Sequence, residues 1–130
     1  MNYLAIDYGL KNIGLAISVD SPLAEPLSTL QPKSHQHALE TVIRIINLHQ
    51  INQIIIGLPT GKVKPSVEKF IAQIQSITQL PITLVDEQHT SKQAQSISRQ
   101  AGKTPSKIKQ QEHQIAAAVI LQTFLDQTEK

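Results

Sequence analysis

The sequence predicts an α/β fold built on a mixed sheet, with antiparallel strands first, parallel strands later, and helices packed on the sheet. Three observations predict it. Two apolar runs near the start, Tyr3 to Asp7 and Asn12 to Val19, are separated only by the turn-like residues DYGLKN, too short for a crossover, so they pair antiparallel. Two later β-branched runs, Gln53 to Ile56 and Ile82 to Val85, are each preceded by a stretch of helical period, which is the signature of parallel strands joined by helices. The 130 residues suit a single domain spanning 1–130, long enough to bury a core without disulfides.

The elements follow in order. Tyr3 to Asp7 ends at an acid and a glycine, as a buried strand leaving the core does. Asn12 to Val19, with Gly14 inside it, is its hairpin partner. Asp20 to Lys33 holds Pro22, Pro26 and Pro32 and reads as loop with at most a short edge strand over Leu27 to Leu30. Ala38, Leu39, Val42, Ile43, Ile45, Ile46 and His49 form a helical stripe. Gln53 to Ile56 is a strand closed by Gly57-Leu58-Pro59. A helix from about Pro65 to Thr78 carries Val67, Phe70, Ile71, Ile74 and Ile77, with Pro65 suited to its first turn. Ile82 to Val85 delivers Asp86 and Glu87 at its carboxyl end. Two more helices are expected over Ser91 to Gln100 and Lys109 to Gln127, separated by Ala101-Gly102-Lys103-Thr104-Pro105.

Composition removes several kinds of function. Without cysteine there is no disulfide, thiolate zinc site or cysteine nucleophile. Aromatic residues make up 3%, which argues against a single-strand binder built on stacked rings. No apolar run approaches the roughly 20 residues that span a bilayer, and the first residues lack a secretory pattern, so no membrane partner and a cytoplasmic location are expected. Between Glu87 and Glu112 there is no acid, while Lys92, Arg99, Lys103, Lys107 and Lys109 fall there. Such a one-sign segment suits a phosphate backbone, or equally an ordinary solvated face.

In sheets of this kind functional groups gather beyond the carboxyl ends of the strands, where Asp7 and the Asp86-Glu87 pair lie. Asp7 has two readings, a turn hydrogen bond or a ligand; Gly9 would allow a tight turn and close approach of a phosphate. Side chains alternate along an extended chain, so one of Asp86 and Glu87 is expected to face the site and the other to brace it. Converging carboxylates suit magnesium or manganese, and two-metal phosphodiester hydrolysis needs such hard oxygen ligands. A third ligand would come from Glu112 or His113 at the start of the last helix. His35, His37 and His49 lie apart from these acids and read as surface residues.

Four blocks, AIDYGLKNIGLAIS, IIIGLP, VDEQHTS and HQIAAAVILQTFL, resemble the YqgF family in order and spacing over nearly the whole chain. The resemblance implies a ribonuclease H-like fold with a five-stranded mixed sheet and an acidic site for a divalent cation, Mg2+ or Mn2+. By position it puts Asp7 and Glu87 at the family's first two catalytic acids and His113 at the third, so Asp7, Glu87 and His113 become the expected metal ligands and catalytic residues. An imidazole there favours manganese or softer metals over magnesium. Lys11, in the DYGLK block, would hold a scissile phosphate or balance Asp7.

The sequence departs from the family in two further respects. The family's arginine after Asp-Glu is Gln88, followed by His89, which removes a bidentate phosphate clamp. The loop Thr60-Gly61-Lys62-Val63-Lys64 is shorter than usual; its Gly61, Lys62 and Lys64 still suit phosphate contact, and equally suit an ordinary turn. The implied activity is a nuclease of structured RNA, acting in 5′-end processing of the 16S ribosomal RNA precursor. The alternatives are a Holliday junction resolvase on branched DNA, for which a homodimer would be expected, and a non-catalytic RNA-binding ribosome-assembly factor that has lost the third acid.

Overall fold

A computed structural model of the chain describes residues 1–9, 11–58, 64–86 and 112–128. Strands β1 (Asn2–Tyr8), β2 (Ile13–Val19) and β3 (Glu25–Leu30) are followed by helix α1 (His35–Leu48), strand β4 (Gln53–Leu58), helix α2 (Lys64–Ile77), strand β5 (Ile82–Asp86) and helix α3 (Glu112–Thr128). The five strands form one sheet in the order β3-β2-β1-β4-β5. β1 pairs antiparallel with β2 and β2 with β3, whereas β1–β4 and β4–β5 are parallel. The carboxyl ends of β1, β4 and β5 therefore share one edge of the sheet, together with the start of β2 and the end of β3.

Alternation along the strands separates two cores. Leu4, Ile6 and Tyr8 of β1, Ile13, Leu15 and Ile17 of β2, and Ile54 and Ile56 of β4 face α1 and α2, meeting Leu39, Val42, Val67, Phe70 and Ile74. The intervening positions face α3: Ala5, Ala16, Ile55 and Val85 pack with Ala117, Ala118, Ile120, Leu121 and Phe124. Bulky side chains fill the first interface. Alanines from both partners dominate the second, so α3 lies close to the strands. Nine of its residues are buried, a degree of enclosure that explains its weak amphipathic pattern.

Local chemistry accounts for the element ends. Ser34 caps α1, its hydroxyl accepting from the His37 N–H at 3.1 Å, so the helix begins three residues before the apolar stripe that announces it. Pro26 lies inside β3, which is tolerable because β3 is an edge strand. A register shift falls between Leu15 and Ala16: Leu15 faces Ser28 and Ala16 faces Pro26, leaving Leu27 as an extra residue. At the opposite edge of the sheet Asn2 ties two loops together. Its side chain accepts from the Asp20 N–H and donates to the carbonyls of His49 and Gln50, holding Asp20 and Gln50 at φ 49° and 53°.

Every strand expected from the sequence is present: β1, β4 and β5 run one or two residues past the expected bounds, and β2 begins one residue later than expected, at Ile13. β3 is longer than the Leu27–Leu30 segment anticipated. The helix expected over Ser91 to Gln100 and the first residues of the one from Lys109 lie outside the described residues.

Candidate active site

Asp7 is the penultimate residue of β1, between buried Ile6 and buried Tyr8. The pleat sends it to the α3 side of the sheet, with Tyr3 and Ala5. α3 begins over the same spot. The His113 imidazole Nδ1 stands 3.6 Å from Asp7 Oδ2, and the two side chains retain 34% and 15% of their exposure. That distance is too long for a direct hydrogen bond. It is short enough for one cation with bonds of about 2.1 Å to touch both atoms. A carboxylate oxygen and an imidazole nitrogen, both half-shielded and still reachable from solvent, form a donor pair that fits a divalent cation. Among the described residues no third His, Cys, Asp or Glu joins them.

Two glycines make this approach possible. A Cβ on Gly14 would overlap the His113 carbonyl and lie 2.7 Å from the Gln114 nitrogen, so α3 enters over β2 through a gap that any side chain would close. A Cβ on Gly9 would lie 2.6 Å from the Asn12 carbonyl oxygen and 3.8 Å from His113 Cε1. In the direction a side chain would take, Gly9 faces the hairpin's own backbone and, beyond it, the imidazole.

The first turn of α3 is secured from β3. The Gln114 N–H donates to Thr29 Oγ1 at 3.2 Å, and the Thr29 hydroxyl donates to Gln114 Oε1 at 3.3 Å. A second grip lies two turns further on. Buried Gln122 accepts from the Ala24 N–H at 2.9 Å and donates to the Pro22 carbonyl at 3.1 Å and to Asp126 at 3.0 Å. Glu112 is exposed, turned away from the pair as the helical angle of about 100° per residue requires.

The remaining expected residues divide by position. Lys11 is exposed in the β1–β2 turn, beyond the same edge as Asp7, and Lys64 is exposed at the first residue of α2. Glu87, Gln88, His89, Lys62, Lys92, Arg99, Lys103, Lys107 and Lys109 lie outside the described residues. β5 leads towards the site edge as anticipated, with Val85 on the α3 face.

Beneath the edge, on the α1–α2 side, an aromatic run links Tyr8 to Phe70 at 4.9 Å and Phe70 to His35 at 5.7 Å. Burial raises the Tyr8 phenol above its usual value of 10.0. The surface role expected of the three histidines fits exposed His37. It does not fit His35, which is half-buried edge-on to Phe70 with its Nε2 shielded and without a hydrogen-bond partner. The cause is Ser34: by starting α1 at His35 it turns that ring inward. His49 is half-buried where α1 ends.

The residues the sequence did not single out are Thr29, Gln114 and Gln122. Gln122 is polar inside an apolar run, whereas Thr29 and Gln114 stand among other polar residues and carry no sequence signal of their own. Gly14 carried a clearer one, since a glycine within a strand often marks close approach of another backbone.

Residues 1–127 match the profile of a family described as "RuvX: Holliday junction resolvase". A protein of Chloroflexus aurantiacus named "Putative pre-16S rRNA nuclease" is 34% identical, over 95% of this chain and 85% of its own length. One of the same name from Thermoanaerobacter pseudethanolicus is 33% identical, over 97% of this chain and 96% of its own. Among solved structures, RuvC of Thermus thermophilus in complex with a Holliday junction substrate superposes with a TM-score of 0.67 at 12% identity, covering 99% of this chain and 96% of RuvC. The Fowlpox virus resolvase bound to Holliday junction DNA gives 0.66 at 11%, with 100% of both chains covered. At such identities the likeness is one of fold, that of the ribonuclease H-like resolvases.

Proposed function

The chain belongs to the RuvX family and is a nuclease of ribonuclease H-like fold, and from that premise we propose that it uses a divalent cation to hydrolyse phosphodiester bonds in the 5′ region of the 16S ribosomal RNA precursor. The observation that carries this reading is the meeting of Asp7 and His113, from opposite ends of the chain, 3.6 Å apart at the carboxyl edge of the sheet.

Asp7 and His113 would hold the cation, Mg2+ or Mn2+. Glu87, which the resemblance puts at the family's second catalytic acid, would join them from the segment that follows β5. When bound, such a cation supplies charge neutralisation and activation of water for phosphodiester hydrolysis. The chain's own contribution is orientation. Burial of Ile6 and Tyr8 in the opposite core fixes the strand that carries the Asp7 carboxylate, and the grip on Gln114 fixes the start of the helix that carries His113. Lys11, exposed beyond the same edge, would take the substrate phosphate as a point charge. Lys62, Lys64, Lys92, Arg99, Lys103, Lys107 and Lys109 would hold the flanking backbone, giving affinity without base preference. The chemistry matches a cytoplasmic substrate; no described helix is long and apolar enough to cross a membrane.

Branched DNA is the second substrate reading, favoured by the family description and by the junction-bound structural neighbours. It would call for a homodimer to present two sites to opposed strands. One experiment separates the substrates: the purified protein is given ribosomal RNA precursor and a DNA junction in parallel, each with magnesium and with manganese. The expected result is metal-dependent RNA cleavage that Asp7→Ala reduces to background while RNA binding persists. Cleavage undiminished in that variant would remove Asp7 from the mechanism. Junction cleavage without RNA cleavage would move the substrate to DNA, and binding without cleavage under either metal would leave an assembly factor.

A further inference from the structure

We propose that Thr29 is a positioning residue for the nuclease reaction: its hydroxyl fixes the first turn of α3 so that the His113 imidazole is held against the Asp7 carboxylate. This inference rests on the assignment of Asp7 and His113 to the metal site.

The sheet register carries the argument. Asp7 of β1 is paired with Gly14 of β2, and Gly14 is paired with Thr29 of β3. The three residues form one row across three strands. Asp7 at one end meets His113, Gly14 in the middle clears the path of the helix backbone, and Thr29 at the other end takes hold of Gln114, the next residue of the helix. His113 and Gln114 are thus held over a single line of the sheet.

The opening N–H groups of a helix have no acceptor within the helix and usually receive one from the residue just before it. Here a hydroxyl on a different strand serves the Gln114 N–H. Thr29 also bonds the Gln114 side chain, and contact with both backbone and side chain of one residue resists rotation of the helix about its axis as well as sliding. Rotation is the motion that matters. Successive residues are about 100° apart, so a twist of the first turn swings His113 away from Asp7 while leaving the buried body of α3 in place. Retention of α3 on the sheet does not depend on Thr29, because Gln122 anchors it independently about 12 Å further along the helix.

The test measures Mn2+ affinity of the full chain by electron paramagnetic resonance, beside thermal melting and amide exchange at Gln114, for wild type, Thr29→Val, Thr29→Ser, Gln122→Leu and Asp7→Ala. Thr29→Val keeps the shape and removes the hydroxyl. It should weaken Mn2+ binding about tenfold, as loss of a group orienting a metal ligand does, and speed exchange at Gln114. Thr29→Ser should restore both to within about twofold of wild type, since serine caps as well as threonine. Gln122→Leu should melt earlier with wild-type affinity. Should Thr29→Val fail to fold, Gln114→Leu removes the side-chain half of the grip and carries the same expectation. Wild-type Mn2+ affinity in the hydroxyl-free variant, with affinity lost in Asp7→Ala, would overturn the role of Thr29 alone. Wild-type affinity in Asp7→Ala would instead defeat the metal assignment, and the role of Thr29 with it.

Discussion

Alanine at Gly14 is the smallest change that should disable the site without replacing a ligand. Gly14 has strand backbone geometry and faces α3, so the added methyl meets no conformational penalty of its own. Its difficulty is space. The new Cβ would overlap the His113 carbonyl and stand 2.7 Å from the Gln114 nitrogen, where ordinary contact begins at 3.4 Å. The nitrogen must therefore withdraw by about 0.7 Å, and the carbonyl by more. Over-packing of this kind costs about 1–3 kcal/mol. For a chain of this length about 1 kcal/mol corresponds to roughly 4 °C in melting temperature, so the variant should melt roughly 4–12 °C below wild type. The same shift pulls His113 from Asp7 on the scale at which a misplacement of about 1 Å lowers turnover about a hundredfold. The assay pairs calorimetric melting with initial rates of RNA cleavage. Ile74→Val, in the opposite core, serves as a control that loses about 0.5–1.5 kcal/mol without moving α3. If Gly14→Ala melts and cleaves like wild type, the helix is not seated on β2 as described. If it only matches the control's modest loss of rate, seating of the helix does not govern the site.

The second grip on α3 makes a separate prediction. Gln122→Leu leaves the Ala24 N–H buried without its acceptor and should cost about 1–3 kcal/mol in denaturant unfolding, with the largest gain in amide exchange at Ala24. Tyr8 predicts an alkaline limit. Its folded value is raised by burial, so the unfolded chain releases the phenol proton first; the stability it contributes is complete below pH 10.0 and is lost as pH rises through the folded value. Melting temperature should therefore fall above that pH, less steeply in Tyr8→Phe, with phenolate absorbance appearing together with unfolding.

The order of strands and helices was legible because each element has a distinct period and most sit between turn residues. Ile54 to Ile56 could hardly be anything but a buried strand, although the strand runs on through Gly57 to Leu58, where the sequence placed its close. Boundaries set by single hydrogen bonds were not legible. Ser34 advances α1 to His35, and nothing in an apolar stripe that starts at Ala38 foretells it. Of the site, Asp7 and His113 were expected from four motif blocks, and they lie together. What supports them was not foreseen. Thr29 is one polar residue in a proline-containing edge strand, and its importance exists only in register with Gly14, a relation fixed by the hairpin between β2 and β3 rather than by composition. Gln122 sits in a helix so apolar that a glutamine reads as an interruption, yet it answers backbone groups of a loop about a hundred residues away.

The extra residue in β3 has a bearing on how this architecture tolerates change. Leu27 and Leu30, three apart, both reach the α1–α2 core, which strict alternation would not permit. The irregularity at Leu27 divides β3 into two independently registered pieces: Ser28 to Leu30 pair with Ile13 to Leu15, and Glu25 and Pro26 with Ala16 and Ile17. The piece nearer the site, which holds Thr29, thus keeps its register independently of the piece that begins at Glu25, while Pro22 and Ala24 just before that piece hold Gln122 of α3.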